Sequence, residues 1–254
     1  MLRKITILIL LILTVAQFTS SDSIQSAREF IQNNIYVWSE TQEEKLPIYC
    51  VDTQKKQIAL TFDTAWGNED TQKILDILKK YKINVTFFMT GGWVESYPDD
   101  VKAIKASGHD LGNHSEHHKH MPQLSNSSIC DELNSVTEKV EKLTNTKMCL
   151  FRPPYGDYNN ALIEQAKNCG YYTIQWDVDW KNYGVEPIVN TVLNHKSLKN
   201  GSIILMHNGA KYTAQALPKV IEGLQEKGFQ IVPISKLIYK DNYHMEPDGS
   251  QVKD

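Results

Sequence analysis

Basic runs, C-x-x-C cysteine pairs, internal repeats and low-complexity tracts are all missing from this 254-residue sequence. Lys and Arg total 27 against 30 Asp and Glu, a formal net charge of -3. Nothing here neutralises a row of phosphates, and no basic stretch carries interleaved aromatics, so nucleic acid is excluded as the expected partner. Cysteines number only four: Cys50, Cys130, Cys149 and Cys169. Their spacing argues against a zinc knuckle. In an oxidising compartment it leaves open three full pairings, a single bridge, or buried free thiols. With 41% hydrophobic and 22% charged residues, the composition is that of an ordinary globular protein, and a single monomeric domain is the default.

Long apolar runs are scarce too, with one exception. Arg3 and Lys4 precede a stretch from Ile5 to Val15 made almost wholly of Ile, Leu, Val and Thr, and the small polar residues Thr19, Ser20 and Ser21 follow. Charge, apolar stretch and small residues in that order make a secretory signal. Ala16 and Phe18 lengthen the run towards, without reaching, the roughly 20 residues that span a bilayer. Residues 1–21 are therefore expected to direct export, as a cleaved signal peptide or as a retained membrane anchor. The protein would then be secreted, wall-associated or held at the outer face of the membrane.

From Gln57 onward, short β-rich runs alternate with amphipathic stretches. Seven strands are expected, over 58–62, 85–89, 110–112, 149–151, 172–176, 203–206 and 230–232. Between them lie helical patterns such as 71–81, with Ile74, Leu75, Ile77 and Leu78 on one face, and 214–227, with Leu217, Val220, Ile221 and Leu224. Such alternation implies parallel strands joined by crossover helices, an α/β fold with its chemistry at the carboxyl ends of the strands. A closed or nearly closed barrel accommodates seven such units better than a small open sheet. On this reading residues 22–56 are a lead-in, 57–239 the domain and 240–254 a peripheral polar tail.

Polar residues gather at the strand ends, where a hydrophobic core gives them no reason to be. The first strand runs into Thr61-Phe62-Asp63-Thr64-Ala65-Trp66-Gly67-Asn68-Glu69, making Asp63 the first carboxylate past the buried segment and a candidate general base. The third ends in His114-Ser115-Glu116-His117-His118. Two histidines four apart, on a helical turn, present both imidazoles to one divalent cation. His117 and His120 read as solvated bystanders. The fourth strand delivers Arg152-Pro153-Pro154-Tyr155-Gly156, where two prolines fix the loop that holds the arginine. The fifth ends in Trp176-Asp177-Val178-Asp179-Trp180, acids among aromatics that suit a sugar-binding groove. The sixth ends in Leu205-Met206-His207, a histidine leaving an apolar strand.

Taken in order, these clusters resemble the five motifs of the polysaccharide deacetylase family, the NodB-homology or carbohydrate esterase family four domain. The resemblance runs from about Lys56 to Tyr239 and touches a branch found in spore-forming bacteria, where the first motif is altered. It implies a distorted (β/α)7-type barrel and metal-assisted removal of acetyl groups from N-acetylated sugars of cell-wall glycan, peptidoglycan above all, with a role in sporulation as a family-level association. The implied metal is divalent, commonly zinc, with cobalt an alternative. By the same carry-over Asp63 is the base and His114 and His118 are metal ligands. His207 is the acid that protonates the leaving amine, and Asp179 supports it. Arg152 orients Asp63, the Tyr155 backbone amide holds the oxyanion, and Trp180 with Leu205 lines the acetyl pocket. One departure stands out: Thr64 occupies the place of the family's ligating aspartate, so that either Glu69 or Asp70 approaches the metal in its stead or water fills the place. The fourth motif is shortened before Trp180, which leaves Asp177 and Asp179 as rivals. A non-catalytic glycan-binding protein on the same barrel is the alternative reading.

Overall fold

The structure, a computed structural model, describes residues 44–180 and 184–254, with Gln25 besides. The expected signal segment lies outside the described residues. Among the described residues no helix is long and apolar enough to cross a membrane.

In chain order the elements are β1 (Cys50–Val51), β2 (Gln57–Thr64), α1 (Thr71–Tyr81), β3 (Thr86–Met89), α2 (Gly91–Ser96), α3 (Pro98–Ala106), β4 (Asp110–Asn113), α4 (Asn126–Thr144), β5 (Leu150–Phe151), α5 (Asn160–Asn168) and β6 (Tyr172–Thr173). There follow α6 (Val185–Leu193), β7 (Ile203–His207), α7 (Thr213–Glu226), β8 (Gln230–Ile231), α8 (Ile234–Leu237), β9 (Tyr243–Met245) and β10 (Ser250–Lys253). Each of the seven expected runs holds a strand. The main sheet is parallel throughout, in the order β6-β5-β4-β3-β2-β7, with β8 also paired to β2. Beyond β6 the chain continues to Val178, which bridges Ile204 of β7, so the two edges of the curled sheet meet. The expected barrel is therefore present in distorted form.

β2 shows why these residues take this place. Every position from Ile58 to Thr64 is buried, as in a parallel strand covered on both faces. Ile58, Leu60 and Phe62 join the large cluster between sheet and helices, whereas Ala59 joins the smaller cluster inside the curl with Phe88, Ile174 and Ile203. α1 buries Ile74, Leu75 and Leu78, the three-and-four spacing of one helical stripe, and ends at Lys82 in a left-handed cap.

The flanks belong to the same compact unit, which runs from Lys45 to Asp254. Ile48 pairs with Ile174, and Val51 donates to the Gly201 carbonyl, so this part of the lead-in fills the seam between β6 and β7. The tail expected to be peripheral folds back as an antiparallel β9–β10 hairpin whose second strand pairs with β1. Ser250 and Gln251 are buried in it, and the Gln251 side chain bonds both ways to the Tyr239 backbone. Polar composition concealed this packing because the buried groups are hydrogen-bonded amides and hydroxyls. One disulfide, Cys130–Cys169, ties α4 to the end of α5, while Cys50 and Cys149 remain thiols.

Candidate active site

A parallel sheet sends all its carboxyl ends to one side, and the side chains singled out above emerge there. The two-residue period of β2 places Asp63 with Ala59 on the interior face. Asp63 is 6% exposed. Arg152, following β5 and fully buried, donates from Nη1 to Asp63 Oδ1 at 2.6 Å and from Nη2 to the Gln175 carbonyl at 3.0 Å. Its guanidinium also lies 4.2 Å from the centre of the Phe88 ring. Burial alone would raise the Asp63 pKa, but the Arg152 guanidinium outweighs it and holds the carboxyl below its ordinary range. The group is ionised at neutral pH.

His114 faces the other oxygen, with Nε2 3.6 Å from Asp63 Oδ2. Its Nδ1 lies 2.7 Å from the Arg152 carbonyl oxygen. A carbonyl only accepts, so Nδ1 carries the proton and Nε2 presents a lone pair to a carboxylate oxygen. Burial pushes the His114 pKa down to about 4, which keeps the ring neutral. His118 stands edge-on at 4.9 Å between ring centres, and its Nδ1 is buried without a hydrogen-bond partner. Acceptors facing one another with no donor between them suit a cation, and neutral imidazoles are the form that ligates.

The histidines do not lie on a helical turn, as their spacing suggested. Ser115 and His118 have φ of 65° and 53°, so the segment is a folded loop. Asn113 Oδ1 accepts from the Ser115 amide, and Ser115 Oγ accepts from the His118 amide, which stabilises that conformation. Glu132 of α4 clamps it from behind, accepting from the His117 amide at 2.8 Å, from the His117 ring and from Lys119. This buried carboxylate, fourteen residues further along than His118, had no motif to reveal it; a Glu facing the core of an amphipathic helix was its only signal. His117 is thus held by Glu132, and His120 stacks on Tyr155 at 4.2 Å.

Tyr155 has φ of 62°, a left-handed conformation that a tyrosine adopts only when its surroundings impose it. His207 ends β7 in register with Asp63 on the neighbouring strand. Trp180 and Leu205 are both buried, and the Leu205 amide donates to the Val178 carbonyl. Asp179 is exposed, and among the described residues no ion pair joins it to His207. Its rival Asp177 points to the foot of β7 instead, accepting from the Ile203 amide at 2.8 Å and from Ser202 Oγ at 2.9 Å. Glu69 is exposed, and Asp70 accepts from the Gly209 amide at 2.7 Å. Among the described residues neither forms an ion pair with His114 or His118. Thr64 is fully buried, its hydroxyl turned towards the Phe62 carbonyl. Among the described residues, no three His, Cys, Asp or Glu side chains form a metal-holding group.

Comparison with known proteins bears directly on this arrangement. Residues 51–174 match the sequence pattern of the polysaccharide deacetylase family. The peptidoglycan-N-acetylmuramic acid deacetylase PdaA of Bacillus subtilis is 34% identical over 203 residues, which cover 76% of this chain and 75% of that protein. A peptidoglycan-N-acetylglucosamine deacetylase of Bacillus cereus is 36% identical, over 74% of this chain and 91% of that protein. This chain belongs to the polysaccharide deacetylase family. The solved structure of PdaA superposes with a TM-score of 0.70 over 75% of this chain and 84% of that one. A pseudoenzyme of carbohydrate esterase family four from Bacillus anthracis superposes with a TM-score of 0.71 at 35% identity, over 75% of this chain and 68% of that one. Deacetylases of this family are hydrolases of carbon–nitrogen bonds.

Proposed function

We propose that this member of the family removes N-acetyl groups from amino sugars of cell-wall glycan, of the peptidoglycan type, releasing acetate. The observation that carries the reading is the buried Asp63 carboxylate, fixed through one oxygen by Arg152 while the other faces the lone pair of His114. The names of the relatives support the substrate class.

His114 and His118 would hold a divalent ion, zinc first and cobalt as an alternative. Bound there, such an ion supplies a Lewis acid that acidifies water and polarises the amide carbonyl. Asp63 accepts a proton from the attacking water through Oδ2, since Oδ1 is committed to Arg152. The Tyr155 amide, displayed by its unusual backbone, donates to the tetrahedral oxyanion. His207 delivers a proton to the sugar nitrogen as the carbon–nitrogen bond breaks, so acetate and a free amine leave. Trp180 and Leu205 line the space for the acetyl methyl. Asp179 takes no part in this scheme, because it stands exposed and without an ion pair to His207.

Acetate release from peptidoglycan and from N-acetylglucosamine oligomers tests the proposal, with a chelator and with Asp63→Asn as controls. Release that both abolish supports it; release that survives Asp63→Asn overturns the assignment of the base. A second reading, a glycan-binding protein without turnover, is favoured by one observation: Thr64 contributes no carboxylate beside the two imidazoles. A structural relative of the same fold is a pseudoenzyme of carbohydrate esterase family four, which supports loss of turnover as the alternative. Glycan binding with no acetate from any substrate would establish it.

A further inference from the structure

Two large hydrophobic side chains stand out as exposed among the described residues, Trp66 at 67% and Tyr155 at 58%. Both touch the same imidazole. Trp66 lies edge-on to His118 at 5.0 Å between ring centres, and Tyr155 at 4.6 Å. Tyr155 has one face covered by the His120 ring. Among the described residues Trp66 lies stacked on no ring, and it is mostly exposed.

The loop beneath that indole is held rigidly. The Gly67 carbonyl accepts from Trp93 Nε1 at 2.7 Å. The Trp66 carbonyl packs so closely on Gly209 that a Cβ there would sit 2.4 Å away. Asp70 accepts from the Gly209 amide at 2.7 Å, and the Asn208 amide donates to the Asp63 carbonyl at 3.3 Å. The loops after β2 and β7 are thus joined backbone to backbone, and the side chain between them projects outward. An exposed aromatic on a fixed backbone, next to a polar catalytic cluster, has the character of a preorganised ligand surface.

We propose that Trp66 is a stacking platform for a second sugar ring, adjacent to the ring whose acetamide reaches Asp63. The inference rests on the glycan reading above and deepens it: the site recognises an oligomer rather than a single amino sugar. The apolar C–H face of a pyranose covers the indole, while Tyr155, already stacked on one side, forms the opposite wall beyond His118.

The test uses the N-acetylglucosamine monomer and tetramer as probes. Binding is followed by intrinsic fluorescence or calorimetry with Asp63→Asn protein, and turnover by acetate release from protein with the native Asp63. Each is measured with Trp66 intact and as Trp66→Ala and Trp66→Phe. Trp66→Ala is expected to weaken tetramer binding, and to raise KM for the tetramer, by about tenfold, the size of one lost aromatic contact. Monomer KM should change by less than about twofold on the same scale, and Trp66→Phe should recover most of the loss. A role in packing alone would lower thermal stability and affect both probes alike, which overturns the proposal, as does unaltered tetramer binding. If no glycan yields acetate yet Trp66→Ala still loses the tetramer, the deacetylase reading fails and the platform stands. Normal acetate release with unchanged tetramer KM in Trp66→Ala overturns the platform and leaves the deacetylase reading standing.

Discussion

Replacing Arg152 by Met removes the one guanidinium that keeps Asp63 ionised while preserving most of the side-chain volume over Phe88. Both members of the pair are nearly or wholly buried and their contact is 2.6 Å long. Removing one partner of such a pair leaves an uncompensated charge at a cost of about 3–5 kcal/mol. For a domain of this size each kcal/mol lowers Tm by about 2–4 °C, so a fall of about 10 °C is expected near neutral pH. The cost depends on pH in a definite direction. In the native protein Asp63 has a depressed pKa, so its contribution is present above the unfolded value of 3.8 and is lost as pH falls through the folded one. Without Arg152, burial dominates and the folded pKa rises above 3.8, so protonation on acidification relieves the unpaired charge. Scans in chelator should therefore show the Tm gap between native and Arg152→Met protein narrowing from pH 8 to pH 5. Arg152→Met combined with Asp63→Asn should regain most of the lost stability. A gap independent of pH, together with a double variant no more stable than the single, would refute the claim that Arg152 acts chiefly by compensating Asp63.

Asp177 is pushed up to about 6 by burial, despite hydrogen bonds from Ser202 and Ile203. A carboxyl raised above its unfolded 3.8 opposes folding once ionised, so its penalty is absent below that pH and complete above about 6. Asp177→Asn keeps an acceptor for the Ile203 amide and should stabilise the protein by up to about 3 kcal/mol at neutral pH, with the gain gone at pH 4; a Tm gain equal at both pH values would count against this. Thr64→Asp adds the carboxylate that the two imidazoles lack and should tighten zinc by about tenfold or more in a competition titration. No change would mean that the side chain at 64 cannot turn towards His114 and His118. Reducing Cys130–Cys169, which closes a sequence separation of 39, should cost about 4 kcal/mol in the chain-entropy account, read as a Tm drop on adding dithiothreitol.

Much of the fold was legible in the sequence, because parallel strands buried on both faces leave continuous apolar runs and their crossover helices leave a stripe. Ile58 to Phe62 and the face of Ile74, Leu75 and Leu78 carried those signals. The strand-end candidates were legible for a related reason: a parallel sheet delivers every carboxyl end to one side, so Asp63, His114, Arg152 and His207 had to emerge together. The β9–β10 hairpin was not, since its buried positions are Ser250 and Gln251, whose burial depends on partners remote in sequence. Glu132 was hidden for the same reason, as it acts on a loop it meets only through the packing of α4.

By itself, then, the sequence determined the order of strands and helices, the family, and which chemical groups reach one end of the sheet. Local periodicity and ordered motifs encode these, and neither needs a distant contact. Tertiary structure alone decided the relations among those groups. It paired Asp63 with Arg152 and bent the histidine segment into a loop with left-handed residues. It sent Asp177 to the foot of β7, left Asp179 in solvent, and joined the loops after β2 and β7 so that Trp66 faces outward beside His118. Each of those outcomes is a contact between segments far apart in the chain, set by how burial and hydrogen-bond demand are met together in one packed body.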